Sequence, residues 1–129
     1  MRDATELLAR ILLSFMFIVS GFSKINGYAA TQSYMESMSV PDMLLPLVIA
    51  LELGGGILLL IGYQTRIIAL SFAGFCVASG YLFHFNPDDQ MQMINFMKNM
   101  TISGGMLLLV IYGAGAWSTD DWRARKNSD

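Results

Sequence analysis

The first place in this sequence where chemistry could occur is a carboxylate set in the middle of an apolar run. Ala50-Leu51-Glu52-Leu53-Gly54-Gly55-Gly56 places Glu52 and a glycine cluster inside the stretch from Met43 to Gly62. That stretch is long enough to cross a hydrocarbon core of about 30 Å at about 1.5 Å per residue. A charge near mid-membrane costs about 3 kcal/mol or more, so such a group is expected to face a bundle interior, a partner or a water-filled cavity. Two more ionisable residues, Lys24 and His84, fall near the ends of their own apolar runs on the side from which the Glu52 run starts. Glu52 lies roughly 13 Å below that boundary, and a lysine stem reaching about 6 Å inward leaves a gap that water or a polar ligand head would fill.

The expectation is therefore a polar pocket lined by Glu52, Lys24 and His84, with Tyr81 or Lys98 at its mouth. Gly55 and Gly56 would let a flat ligand or a neighbouring helix approach the carboxylate closely. Each group also has a plain structural reading: the glycines as helix-packing positions, His84 as an interfacial hydrogen-bonding group. A carboxylate and an imidazole beside an apolar pocket suit an amphipathic ring with carbonyl or hydroxyl groups, such as a quinone, because they exchange protons as the ring is reduced. One histidine and one cysteine, Cys76, offer no bis-histidine haem, iron–sulfur or dithiol centre, so no intrinsic cofactor is expected and electrons would come from a partner subunit. Methionines near the same boundary, Met35, Met38, Met43, Met91, Met93, Met97 and Met100, suit Cu(I) as thioethers. They form no tight ligand cluster and read as flexible apolar filler, so no metal site is expected.

These groups must be positioned by membrane helices. The 129 residues are 54% hydrophobic and only 14% charged, and the charges are excluded from four runs of about residues 7–22, 43–62, 67–85 and 100–117. The sequence predicts a single all-α integral membrane domain over 1–129, a four-transmembrane-helix antiparallel bundle. Few basic residues, lying at helix ends, exclude a nucleic-acid partner. Arg2 ahead of the first run is compatible with a signal peptide, but the segment reads better as a retained helix. Arg2, Arg10, Arg66, Arg123, Arg125 and Lys126 fall on one side against Lys24 and Lys98 on the other, which predicts both termini in the cytoplasm.

In the first helix Arg10, Ser14, Phe17, Gly21 and Lys24 fall within a stripe about 80° wide, opposite Leu12, Phe15, Ile18 and Val19. Arg10 lies too far from Glu52 to pair with it and reads as an interfacial anchor, its head snorkelling outward. Tyr28 to Met38 is compatible with a short interfacial helix. Leu45, Val48, Glu52, Gly55, Gly56 and Leu59 share a face of the second run, with Ala50 and Gly54 as a further small pair. Ala73, Val77, Gly80 and His84 form a face of the third. Asn86-Pro87-Asp88-Asp89 starts a helical lead-in to the fourth run, which ends in Gly113-Ala114-Gly115-Ala116-Trp117 ahead of a polar basic tail.

Gly21-Phe22-Ser23-Lys24, Pro41, Glu52-Leu53-Gly54-Gly55, Gly62-Tyr63-Gln64-Thr65-Arg66, His84, Lys98-Asn99 and Gly113-Ala114-Gly115-Ala116-Trp117-Ser118-Thr119-Asp120 resemble the DoxX family from about Leu7 to Asp121. The resemblance implies a compact four-helix protein of the bacterial cytoplasmic (inner) membrane. It also implies association with redox complexes, since the family is named for a subunit linked to thiosulfate:quinone oxidoreduction. Glu52, Lys24 and His84 match its pattern, and no catalytic role transfers with them. The function expected is a redox-associated membrane subunit binding a quinone-like or other lipophilic molecule. The alternatives are a non-catalytic membrane scaffold or interaction subunit, and a small-molecule or proton pathway through Glu52. Whether the chain is itself catalytic stays open; if so, it is an oxidoreductase subunit dependent on a partner. Its expected partners are the lipid bilayer, a redox subunit or a second copy of itself.

Overall fold

A computed structural model describes residues 1–129. It is all-helical: α1 Arg2–Asn26, α2 Tyr28–Ser37, α3 Asp42–Ile61, α4 Thr65–His84, α5 Gln90–Tyr112 and α6 Thr119–Ser128. Helices α1, α3, α4 and α5 are each long and apolar enough to cross a membrane. They run alternately up and down, so the first and last residues lie at one end of the bundle.

The α1 stripe faces inward as its spacing predicts. Arg10, Ser14, Phe17 and Gly21 are buried, whereas Leu12, Phe15 and Val19 are exposed on the opposite side. Ile18 departs from that exposed group, because its Cγ1 packs where a Cβ on Gly56 would lie. The α3 face is also as expected, with Leu45, Glu52, Gly55, Gly56 and Leu59 buried. The small pair Ala50 and Gly54 instead points outward; a Cβ on Gly54 would meet nothing within 4 Å. On α4 the buried positions are Thr65, Ala69, Phe72, Ala73, Cys76 and Gly80, and Val77, at the edge of the expected face, turns outward.

Below Glu52 lies a dry plug. Phe17 and Phe72 stack with ring centroids 4.0 Å apart, and Leu59, Ala69, Ala73, Cys76 and Met106 close around them. Ser103 Oγ donates to the Ala73 carbonyl at 3.0 Å, tying α5 to α4 beside this plug.

At the end carrying the termini, three helix ends meet charged side chains of distant segments. Arg10 Nη1 donates to the carbonyls of Leu60 at 2.8 Å and Leu59 at 3.3 Å, at the C-terminal end of α3, and Nη2 donates to the Trp117 carbonyl. Arg66 Nη1 does the same for α5 through Val110 at 3.0 Å and Ile111 at 2.7 Å. Asp120 accepts from the backbone N–H groups of Gln64 at 2.8 Å and Thr65 at 2.9 Å, capping the N-terminus of α4. The last carbonyls and first N–H groups of a helix have no internal partners and carry partial charge, so cations suit the former and anions the latter. Gly62 and Gly113, at φ 74° and 77°, turn the chain so that these carbonyls face inward.

Arg10 is thus 1% exposed and does not snorkel to an interface. The helical lead-in to the fourth crossing is as expected, α5 being continuous from Gln90; it stops at Tyr112, short of the expected residue 117, because positive-φ Gly113 and Gly115 break it and carry Trp117 toward Arg10. The polar basic tail forms α6, capped by Ser118 Oγ accepting from the Asp121 N–H at 3.2 Å.

Replacing Arg10 with Met removes charge-assisted bonds to three buried or half-buried carbonyls and should destabilise the protein by about 2–4 kcal/mol. Arg66→Met, at an exposed position, should cost about 1 kcal/mol or less. Unfolding titrations in mixed micelles check the ranking, and a neutral Arg10→Met would restore the anchoring role.

Candidate functional site

Glu52 lies in the middle of α3 within a π-helical segment, Ala50–Gly55, flanked by α-helix on both sides. Such turns widen the helix by one residue and recur at functional sites. The segment can lie this close to α1 because Gly21 has no side chain. A Cβ there would stand 2.8 Å from the Leu53 nitrogen and 3.2 Å from Glu52 Cβ.

One turn beyond Gly21, Lys24 reaches back to the carboxylate. Its Nζ lies 2.9 Å from Glu52 Oε2 and 3.2 Å from Oε1, and donates to Ser20 Oγ at 2.7 Å. All three ammonium protons have acceptors. The Glu52 side chain is 5% exposed and that of Lys24 is 26% exposed, so the carboxylate is enclosed and its cation borders open space. The gap anticipated between the two groups is closed by direct contact.

That open space is a cavity of about 440 Å³, lined mainly by apolar residues. Lys24, Ser20 and Glu52 form one polar wall; His84, Ser79 and Asn99, from α4 and α5, form another. Asn99 Nδ2 donates to Ser79 Oγ at 3.3 Å. His84 Nδ1 pairs with Gln92 Oε1 at 2.8 Å, which places the proton on Nδ1 and leaves Nε2 as an acceptor in the neutral ring. Helix α2 roofs the space with Thr31, Tyr34 and Met35, held by stacking of Tyr34 on Phe83 and by the Gln32 to Asp42 hydrogen bond of 3.2 Å. Cys76 lies in the wall as a buried thiol.

Glu52, Lys24 and His84 therefore share one cavity, and the other sequence candidates do not line it. Gly55 packs against the Phe72 ring and Gly56 against Ile18, so both serve helix packing. Tyr81 turns away and joins Phe85 and Phe96 in an aromatic cluster, with centroids 5.4 and 5.0 Å from theirs. A second π-helical segment, Gly80–His84, shifts the register there, so an α-helical count misplaces Tyr81. Lys98 lines a separate groove beside the cavity. Ser20, Ser79, Gln92 and Asn99 were missed. Ser20 had a readable signal, one turn before Lys24 on the same helix, whereas the others depend on how α4 and α5 pack.

The DoxX family model matches residues 5–85, which include Lys24, Glu52 and His84. The chain belongs to the DoxX family. This DoxX chain is 52% identical over 120 residues to "Inner membrane protein YqjF" of Escherichia coli (strain K12), covering 93% of this chain and 92% of that protein. It is 38% identical over 126 residues to "Inner membrane protein YphA" of the same strain, covering 92% and 90%. It is 36% identical over 67 residues to "Putative oxidoreductase CatD" of Bacillus subtilis (strain 168), covering 52% and 50%. No solved structure matches. With four apolar helices and such relatives, the DoxX chain is an inner-membrane protein whose surroundings are the lipid bilayer.

Lys24→Met strands an enclosed carboxylate and should cost about 2–4 kcal/mol, at or below the range for fully buried pairs because Lys24 borders open space. The double variant Lys24→Met, Glu52→Leu should return to within about 1 kcal/mol of the parent. A double-mutant unfolding cycle measures both, and additive losses would show that the two groups act independently.

Proposed function

We propose that this DoxX protein is a redox-associated membrane subunit that holds a quinone-like ring in the cavity above Glu52. The observation that carries the reading is the pairing of an apolar cavity of about 440 Å³ with hydrogen-bonding groups on two walls. Apolar lining with a few placed polar groups is the usual make-up of a small-molecule site. A ring with carbonyl groups at both ends would accept a hydrogen bond from Lys24 at one wall, displacing Ser20, and from Asn99 at the other. Reduction of such a ring to the hydroquinone takes up two electrons and two protons. One proton would come from His84, once protonated, and the other from the Lys24 ammonium to the oxygen it bonds; the lysine amine would then be reprotonated from the open side of the cavity, restoring the cation that Glu52 requires. Electrons would reach the ring from a partner subunit, in line with the single cysteine and single histidine of the chain. The printed name of CatD lends this redox reading support over half the chain. With the termini in the cytoplasm, as the basic residues favour, the cavity would open toward the opposite face of the membrane.

The dry plug weighs against the passage reading. Phe17, Phe72 and Leu59 separate Glu52 from Arg10 without an intervening polar side chain free to relay protons; Ser14 and Ser103 both donate to backbone carbonyls.

Native mass spectrometry and titration calorimetry in gentle detergent test the proposal with a decyl-substituted benzoquinone. Wild-type protein should bind it, and Glu52→Gln and Lys24→Met should each weaken binding by about tenfold, the equivalent of one charge-assisted hydrogen bond. Unchanged affinity in both variants would remove the cavity from the function.

A further inference from the structure

The cavity has one thin side. Met16, His84 and Asn99 line both the cavity and a groove of about 610 Å³ on the outer surface of the bundle. The groove follows α5 from Ile94 to Ile102 and is bounded across the seam by Met16 of α1. The seam between α1 and α5 is loose, as is that between α3 and α4. Helices α4 and α5 are in continuous contact, and α1 meets α3 closely at Gly21 and Gly56. Between α1 and α5, a Cβ on Gly105 would meet only Leu13, at ordinary contact distance. Of the three shared side chains, Met16 is the apolar one and the one contributed by α1, unbranched, flexible and 42% exposed. The roof above the cavity, by contrast, is tied down by the Tyr34–Phe83 stack and the Gln32–Asp42 bond.

From these features we infer that the cavity is loaded sideways from the bilayer through the α1–α5 seam, with Met16 as its gate. The ligand is an amphiphile whose hydrocarbon chain remains in the groove beside Met97 and Ile102. This rests on the ring-binding reading above and adds the route and the class: a head group carrying a chain, taken from lipid. The lining of the groove is mixed: along α5, Ile94, Met97 and Ile102 alternate with Asn95, Lys98, Asn99 and Thr101, and Met16 adds an apolar side chain from α1. In a bilayer the chain gains little affinity over lipid, because lipid tails are equally apolar. Its position, rather than binding strength, is therefore the informative quantity.

The experiment uses a benzoquinone bearing a diazirine on a decyl chain, photolysed with the full-length protein in nanodiscs and mapped by peptide mass spectrometry. Only adducts removed by excess chainless benzoquinone are counted, which excludes general lipid-facing labelling. The expected result is competable adducts on Met16, Met97 and Ile102. Thr101→Trp, at an exposed position that lines the groove alone, should abolish them while leaving the thermal midpoint unchanged. Competable adducts on Tyr34, Leu44 or Phe83 would show access through the roof and overturn this inference while sparing the ring-binding reading. Competable seam adducts that survive Thr101→Trp would overturn the groove as the chain's resting place. Absence of any competable adduct, together with no benzoquinone binding by calorimetry, would overturn both; absence with binding intact would overturn the seam alone.

Discussion

A carboxylate can be kept in the middle of a membrane-crossing bundle only if something there repays its lost hydration, and in this protein that is Lys24. The remainder of the bundle is arranged so that the two can meet. Lysine and glutamate side chains bring their charges into contact only if their helices lie close, and α1 and α3 lie close because Gly21 presents no Cβ to Leu53 and Glu52. Gly56 allows the same approach one turn lower, where Ile18 fills the space a side chain would need. An alanine at either glycine would push the helices apart and lengthen the Nζ to Oε distances, weakening the pair more than its own charges are altered. Packing and electrostatics are in this sense one constraint: the pair exists at 2.9 Å because two backbones can touch.

The same stripe of α1 organises the other end. Arg10, Ser14, Phe17, Gly21 and Lys24 face inward in succession, so one helix face supplies a cation at each end and an aromatic between them. At the lower end the cation answers backbone carbonyls instead of a carboxylate. Helix α3 ends at Gly62, leaving carbonyls with no partner along the helix, and hydrocarbon offers them no water. Arg10 satisfies them and ties in the segment after α5 through Trp117. Arg10 Nη1 and Nη2 are thus paired, while Arg10 Nε and Thr65 Oγ1 are buried at this end without partners; the Phe17–Phe72 stack between the two ends needs no polar group at all.

How much of this was legible follows from where each residue's partner lies. Glu52 and Lys24 could be read, because a mid-membrane acid demands a cation and few cations were available. The inward stripe of α1 could be read because it obeys a simple period. Arg10 was misjudged for a physical reason: a charged residue near a helix end is compatible with snorkelling, and its real partners are carbonyls freed by glycine turns that carry no pattern of their own. Tyr81 was misplaced because the π-helical segment from Gly80 to His84 breaks the period on which a face is counted. His84 was recognised as a candidate, but its partner Gln92 lies on the next helix across the loop, set by packing and not by spacing.

The saturation of Lys24 bears on what kind of ligand the cavity can take. With Glu52 accepting two of its protons and Ser20 the third, the ammonium is fully satisfied by the protein itself. A ligand carbonyl would therefore gain only the difference between itself and the Ser20 hydroxyl, a neutral acceptor. Such an exchange would orient a ligand's polar end while adding only modest affinity. On the proposed function, the apolar lining would set which molecules enter, and the ion pair how their polar end is oriented once inside. A diffusible membrane carrier fits that division of labour, since it must be recognised, turned to a fixed orientation and released.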